Sequence, residues 1–204
     1  ALEVYTRHDF PENNAETLLN LGIAYQDSQK LNLAYDTFTQ AIVTVENIRG
    51  EIISGEESKR KQAEKWNQLY RRMVEVCLDL GRETEAISYI ERSKTRNLVE
   101  LISQDVNFPP IEYSEIQNLL DDKNAIIQFY IFNDCFRTFI ITKNNDKPII
   151  YPSTKENLDQ IIDLMYNEYL TLYYEDRNKW RNELNNQLTK LAEILQLNQI
   201  IAQV

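Results

Sequence analysis

One spacing in the first quarter of the chain constrains the fold more than any other feature. It reads Leu18-x2-Leu21-Gly22-x2-Tyr25, then a polar turn Gln26–Lys30, then Ala34-x3-Phe38-x2-Ala41. Both halves repeat at helical intervals. The small residues Gly22, Ala34 and Ala41 let two helices approach closely, while Leu21, Tyr25 and Phe38 fill the groove between them. The pattern therefore predicts a helical hairpin. A fainter copy follows as Tyr70-x2-Met73-Val74-x2-Cys77, then Gly81, then Ala86-x3-Ile90, displaced by 52 positions from Ala34 to Ala86.

The flanks give the expected ends of these helices. Residues 1–13 read as the tail of a preceding helix halted before Pro11, with Asn13 or Asn14 capping the next one. No proline stops the Phe38 helix, so it should run towards Arg49 and end at Gly50 or Gly55. The charged stretch Glu56–Lys65 reads as a solvated helix face.

Gly81–Ser103 looks like the joint of the chain. Gly81 closes one helix, Glu83 and Glu85 suit the first turn of the next, and Ala86, Ile87, Ile90, Leu98, Leu101 and Ile102 recur at helical spacing. Its first half completes the second hairpin. Arg96–Ile102 is expected to run on into the following unit, so that one helix serves two cores as a lever. Arg92, Lys94 and Arg96 are expected to be structural, with Glu91 and Glu100 available for surface pairs and Arg96 reaching the following unit.

After Ser103 the period changes. Pro109–Pro110 forbids helix and marks a linker, and Ser114 is expected to cap a short helix through Leu120. Ala125–Phe132, Cys135–Thr142 and Ile149–Tyr151 read as three strands of an antiparallel meander, with a hairpin turn at Asn133–Asp134. Ser153 or Thr154 caps a helix carrying Leu158, Ile161, Ile162, Met165, Tyr169 and Leu172 on one face. A last amphipathic helix covers about Asn178–Gln196, with Trp180, Leu184, Leu188, Leu191 and Leu195 inward. Residues 199–204 then begin another apolar run and stop, leaving an incomplete core. The fold class is thus α+β: helical repeats over 1–103, a linker and short helix over 104–124, and a small sheet with helices over 125–204.

Composition narrows the partners. With 22 basic and 32 acidic residues the formal charge is −10, which disfavours nucleic-acid phosphates and anionic membranes. No apolar run approaches the about 20 residues that span a bilayer, and no basic-then-apolar leader opens the sequence. Cys77 and Cys135 read as reduced thiols. A cytoplasmic location is expected, and the start at Ala1 suggests an excised segment.

The first pattern resembles the tetratricopeptide repeat, a helix–turn–helix unit of about 34 residues. Leu18 stands where that family usually has Trp, and Glu46 where its closing Pro is expected. The order of parts, with ISYIERSKTRNLVELI and then AIIQFYIFNDCFRTFIIT, is similar to the opening of bacterial, cyanobacterial-like CHAT-domain proteins, caspase-like domains associated with such repeats. That resemblance implies His–Cys cysteine peptidases whose dyad lies on later strands, beyond the end of this chain. No catalytic role passes to His8, Cys77 or Cys135. The segment is therefore expected to be silent, a regulatory repeat region joined to an incomplete caspase-like unit. The alternative is a non-enzymatic repeat scaffold with an α/β cap.

Binding residues follow from the repeat reading. Glu16, Asn20, Ile23 and Asp27 in one copy, and Gln68, Arg72, Glu75 and Asp79 in the other, should line a concave groove for a protein or peptide segment. Asn20 and Arg72 fall where the carboxylate-binding subtype of the family has Asn and a basic residue. Gln68 replaces its Lys, so the clamp lacks one charge. No cofactor is expected: no Cys/His pair has metal-ligand spacing, and the four glycines form no phosphate loop. The tyrosine-rich stretch Tyr166–Tyr174 with Trp180 reads as helix packing rather than a base-stacking surface.

Overall fold

Pro11 opens the first helix. Its missing N–H is no loss in a first turn, and its fixed φ suits the first helical position. Helix α1 therefore runs Pro11–Asp27 with Phe10 as its boundary residue. Neither Asn13 nor Asn14 caps it. Asn14 is instead buried within the helix and donates its side-chain N–H to Tyr5 O at 2.7 Å. Residues 2–9 form turns and a bend, not the end of another helix. The computed structural model describes residues 2–48, 56–102 and 111–203, with side chains outside 56–63 and 95–102.

Helix α2 spans Leu31–Asn47, α3 Glu56–Asp79 and α4 Glu83–Ile102. The expected stops at Gly50 and Gly55 lie outside the described residues, as do the linker prolines and the side chains of Arg96 and Leu98–Ile102. Each hairpin turn ends its first helix in the same way. Lys30 N–H reaches back to Tyr25 O at 2.9 Å, and Arg82 N–H to Cys77 O at 2.8 Å. The residue between sits in the left-handed region, Gln29 at φ 57° and Gly81 at φ 70°. These are Schellman closures, which glycine enters without Cβ strain. The two turns are themselves 52 positions apart.

The hairpin cores repeat with compensating changes. A Cβ on Gly22 would lie inside 3.0 Å of three carbons of the Phe38 ring. The equivalents of that pair, one copy later, are Val74 and Ile90, and all four residues are buried. One interface pairs nothing with a ring. The other pairs two medium-sized branched chains in the same place. Ala34 and Ala86 are both buried at the crossing, and Ser93 takes the place of Ala41, its hydroxyl donating to Ile90 O at 2.9 Å.

The chain divides into two compact units, Ala1–Ile116 and Gln117–Val204. Helix α4 lies wholly in the first. Helix α5, Tyr113–Asn118, spans the division. Ser114 is not its cap: Glu112 stands at the boundary, its N–H donating to the Glu115 carboxylate at 2.8 Å.

In the second unit β1 (Ile126–Ile131), β2 (Phe136–Ile141) and β3 (Ile149–Pro152) form an antiparallel meander in the order β1-β2-β3. Ile127 pairs with Ile140, Phe129 with Thr138 and Ile131 with Phe136, so these residues share one face. Phe139 and Ile141 fill the other. The Gln117 amide donates to Thr142 O and Asn145 O at 3.0 and 2.6 Å, holding the turn after β2.

Thr154 caps α6 (Lys155–Asp163) through a reciprocal box with Asn157. A π-helical segment, Leu164–Leu170, continues it into α7 (Thr171–Glu175). Asp176 then caps α8 (Arg177–Ile194), and α9 (Leu197–Ile201) follows. The expected stripe is overturned: α6 turns Leu158, Ile161 and Leu164, three residues apart, towards the core, which leaves Ile162 and Met165 exposed. Leu188 is likewise exposed on α8, and Gln187 takes the buried position beside it. The apolar run from Gln199 is part of a short helix.

Candidate functional site

Helices α1 and α3 are joined side by side at two levels. Lys65 Nζ pairs with Glu16 Oε2 at 2.7 Å. The Gln26 amide donates to Glu75 Oε2 at 3.1 Å. Both links join residues 49 positions apart, so the helices run parallel with a constant offset. Between the links lies a strip made of Asn20 and Ile23 from α1 and Gln68 and Arg72 from α3. Asn20 follows Glu16 by one helical turn and Gln68 follows Lys65 by nearly one, which puts them at the same level. Asn20 is exposed, and Gln68 and Arg72 are half-buried.

The three expected binding residues therefore share one surface strip, but Arg72 is not a free cation. Its Nη1 lies 3.2 Å from Glu75 Oε2 and 3.5 Å from Gln26 Oε1. Lys65 is likewise matched by Glu16. An incoming terminal carboxylate would meet both acids, so the charge expected of a carboxylate clamp is already neutralised. What remains on the strip is a pair of amides, Asn20 and Gln68, each offering both donor and acceptor; the buried Gln26 amide is already engaged by Glu75 and Arg72. Sequence reading placed Gln26 in the turn. The repeat offset of 52 would have set it opposite Leu78, so no sequence signal pointed to its pairing with Glu75.

A second set of contacts braces the strip from behind. Arg92 holds Glu46 with two nitrogens, Nε at 3.1 Å and Nη2 at 2.7 Å. The Tyr70 hydroxyl donates to the same carboxylate at 2.8 Å. Burial alone would weaken the Arg92 charge, but hydrogen bonding to Glu46 and its attraction carry the guanidinium pKa upward. Glu46 thus fills the place of the missing proline and ties α2, α3 and α4 together. Within the basic cluster Lys94 makes the expected surface pair with Glu91, while Arg92 crosses to Glu46. At the other end Tyr35 donates to Glu85 at 2.8 Å and carries Arg82 over its ring at 4.4 Å. Burial raises the Tyr35 pKa, aided by Tyr89 and Glu85.

The thiols and the histidine are placed differently. Burial pushes the Cys77 thiol up to about 12, with Glu85 adding to it, so it holds its proton at neutral pH. Cys135 is half-buried between β1 and β2. His8 is exposed and its Nδ1 meets Asp9 Oδ1 at 3.1 Å.

The second unit has a cleft of about 940 Å³ between α6, the π segment and α8. Its two lysines are matched, Lys155 with Asp159 and Lys190 with Glu168, each at 2.6 Å. Tyr169 and Tyr173 pack edge-on against Trp180 at 5.7 and 5.3 Å, so these rings bind one another. Among the described residues no three His, Cys, Asp or Glu side chains could hold a metal ion, and no helix is long and apolar enough to cross a membrane.

Scans of the chain against protein-family models, curated proteins and solved structures return no match.

Proposed function

We propose that the first unit is a tetratricopeptide-type module that binds an extended protein or peptide segment along the α1/α3 strip, and that the second unit is the opening part of a CHAT-like domain, catalytically silent in this chain. The observation that carries the reading is the parallel pairing of α1 and α3 at a constant offset. It supports a groove formed by the first helices of two successive hairpins. The matched state of Arg72 refines it: the strip engages the main chain of a segment through Asn20 and Gln68, and does not select a C-terminal carboxylate.

The test uses short random peptides displayed with free and with amidated C-termini. Binders are expected to enrich, to lose about tenfold in affinity in Asn20→Ala/Gln68→Ala, and to ignore amidation. Failure to enrich any peptide, or binding indifferent to both substitutions, overturns the groove. Peptidase activity lost in Cys135→Ser would overturn the silent assignment.

The non-enzymatic scaffold is the second reading. The matching of Lys65 by Glu16 and of Arg72 by Glu75 favours it, since both cations already serve the fold.

A further inference from the structure

The two edges of the meander are unlike. β3 is four residues long. Ser153 N–H donates to Phe136 O at 3.1 Å, which fixes the phase of the β2–β3 ladder and leaves Pro152 at a position whose N–H would point out of the sheet. Proline has no such donor, so this edge offers little to a further strand. β1 has no such guard. Its six residues, IIQFYI, include neither a charge nor a proline. Among the described residues it is bordered only by β2.

The hairpin sets the phase of β1. Phe132 N–H donates to Cys135 O at 2.8 Å, so the even-numbered residues from Ile126 to Phe132 turn their main-chain groups towards β2. Those of Ile127, Phe129 and Ile131 point away from it. The side chains of the same three residues are 36%, 38% and 57% exposed. Outward main-chain groups and uncovered apolar side chains thus coincide along one edge.

We propose that β1 pairs antiparallel with β1 of a second copy of the chain, about a twofold axis at Phe129. The strand is self-complementary in that register. Phe129 meets its own equivalent, and Ile127 meets Ile131 of the second copy in both directions, which gives about six main-chain hydrogen bonds. The apolar side chains then form one continuous cross-strand row. The ends select this partner and this direction. Exposed Lys123 of one copy comes beside exposed Asp134 of the other, and Asn124 lies opposite that Asp134. A parallel pair would instead bring Lys123 to Lys123 and Asp134 to Asp134. A strand of another protein would have to supply the apolar row and both end charges, whereas a second copy supplies them by symmetry.

Six residues a side is well below the about 20–30 of a standard interface, so the dimer should be weak, with Kd on the order of 10 μM. Sedimentation of the full chain should show this monomer–dimer equilibrium. Ile131→Lys, at the most exposed of the three positions, should raise Kd at least about tenfold with an unchanged circular dichroism spectrum. Lys123→Glu sets like charges beside each other at both ends and should raise Kd about fivefold; adding Asp134→Lys should restore the wild-type value. That rescue belongs to the antiparallel register alone. A chain that stays monomeric up to about 200 μM leaves the edge to some other strand and overturns the proposal. So does a dimer indifferent to Ile131→Lys, or one whose affinity ignores Lys123→Glu or is not restored by the double reversal. If Ile131→Lys does not fold, the charge reversal and its rescue decide alone.

Discussion

The α1–α2 seam and the seam between α6 and α8 are both helical, and they are closed by opposite means. In the first, Gly22 gives up its side chain so that the Phe38 ring can lie against the backbone, and straight helices keep their 3.6-residue phase throughout. In the second, the phase slips at Leu164 and a glutamine occupies the centre of the apolar row. Local period and tertiary packing agree in one seam and disagree in the other, so burial follows the sequence spacing in the first and departs from it in the second.

The difference predicts unequal sensitivities. Phe38→Ala should cost about 3–5 kcal/mol in denaturant titration, because the ring is fully buried against a position that cannot expand to fill the space. Leu184→Ala, half-buried in the α8 seam, should cost about 1–2 kcal/mol by the same scale. Equal losses would break the comparison.

Arg92→Ala leaves Glu46 and the Tyr70 hydroxyl facing each other without a cation. A loss of about 2 kcal/mol is expected, reduced from the fully buried case because the Arg92 and Glu46 side chains keep 19% and 30% exposure. A loss indistinguishable from zero would show that the brace behind the strip is only a surface pair.

Cys77 gives a pH dependence of known sign. Its thiol is protonated more tightly in the folded state than at the ordinary value of 9.0, so folding binds the proton. The resulting stability is complete below pH 9 and falls as pH rises through about 12. The slope approaches about 1.4 kcal/mol per pH unit. Cys77→Ala should remove that alkaline loss between pH 9 and 10.5, seen as a smaller decline in the urea midpoint. A decline identical to wild type would place the thiol in water.

The smallest effect concerns the hairpin turns. Gln29 occupies the left-handed position that Gly81 fills in the second copy. Gln29→Gly should therefore stabilise by about 0.5–1 kcal/mol, read as a higher Tm, whereas a lower Tm would mean its side chain holds the turn.

Much of the first unit was legible because its signals are local. Leu18, Ala34, Phe38, Ala41, Tyr70, Cys77, Ala86 and Ile90 were all placed on core faces by spacing, and all are buried. The strands were found to within a residue or two, since β-branched and aromatic runs between Asn/Asp turns have few other uses. What escaped depended on tertiary context. Pro11 as a first helical residue outcompeted the asparagines that follow it. Arg92 crosses 46 positions to Glu46, which no helix-surface rule anticipates. The covered side of α6 runs through Leu158, Ile161 and Leu164, which leaves Ile162 and Met165 exposed although their spacing was regular. At the strip, Asn20, Gln68 and Arg72 lie along the facing helices α1 and α3, but the neutralisation of Arg72 by Glu75 was hidden, because it depends on how those helices meet.

The claim on which the rest depends is that the two hairpins are one unit used twice, with Gly22/Phe38 and Val74/Ile90 as alternative fillings of the same space. A double-mutant cycle on the first pair tests it directly. Gly22→Val alone should be strongly destabilising, by about 3 kcal/mol, because the added carbons meet the ring. Combined with Phe38→Ile, which installs the second copy's filling in the first, most of that loss should return, with a coupling of at least about 1–2 kcal/mol. Losses that simply add, or a double variant worse than Gly22→Val, would contradict the equivalence of the two hairpins.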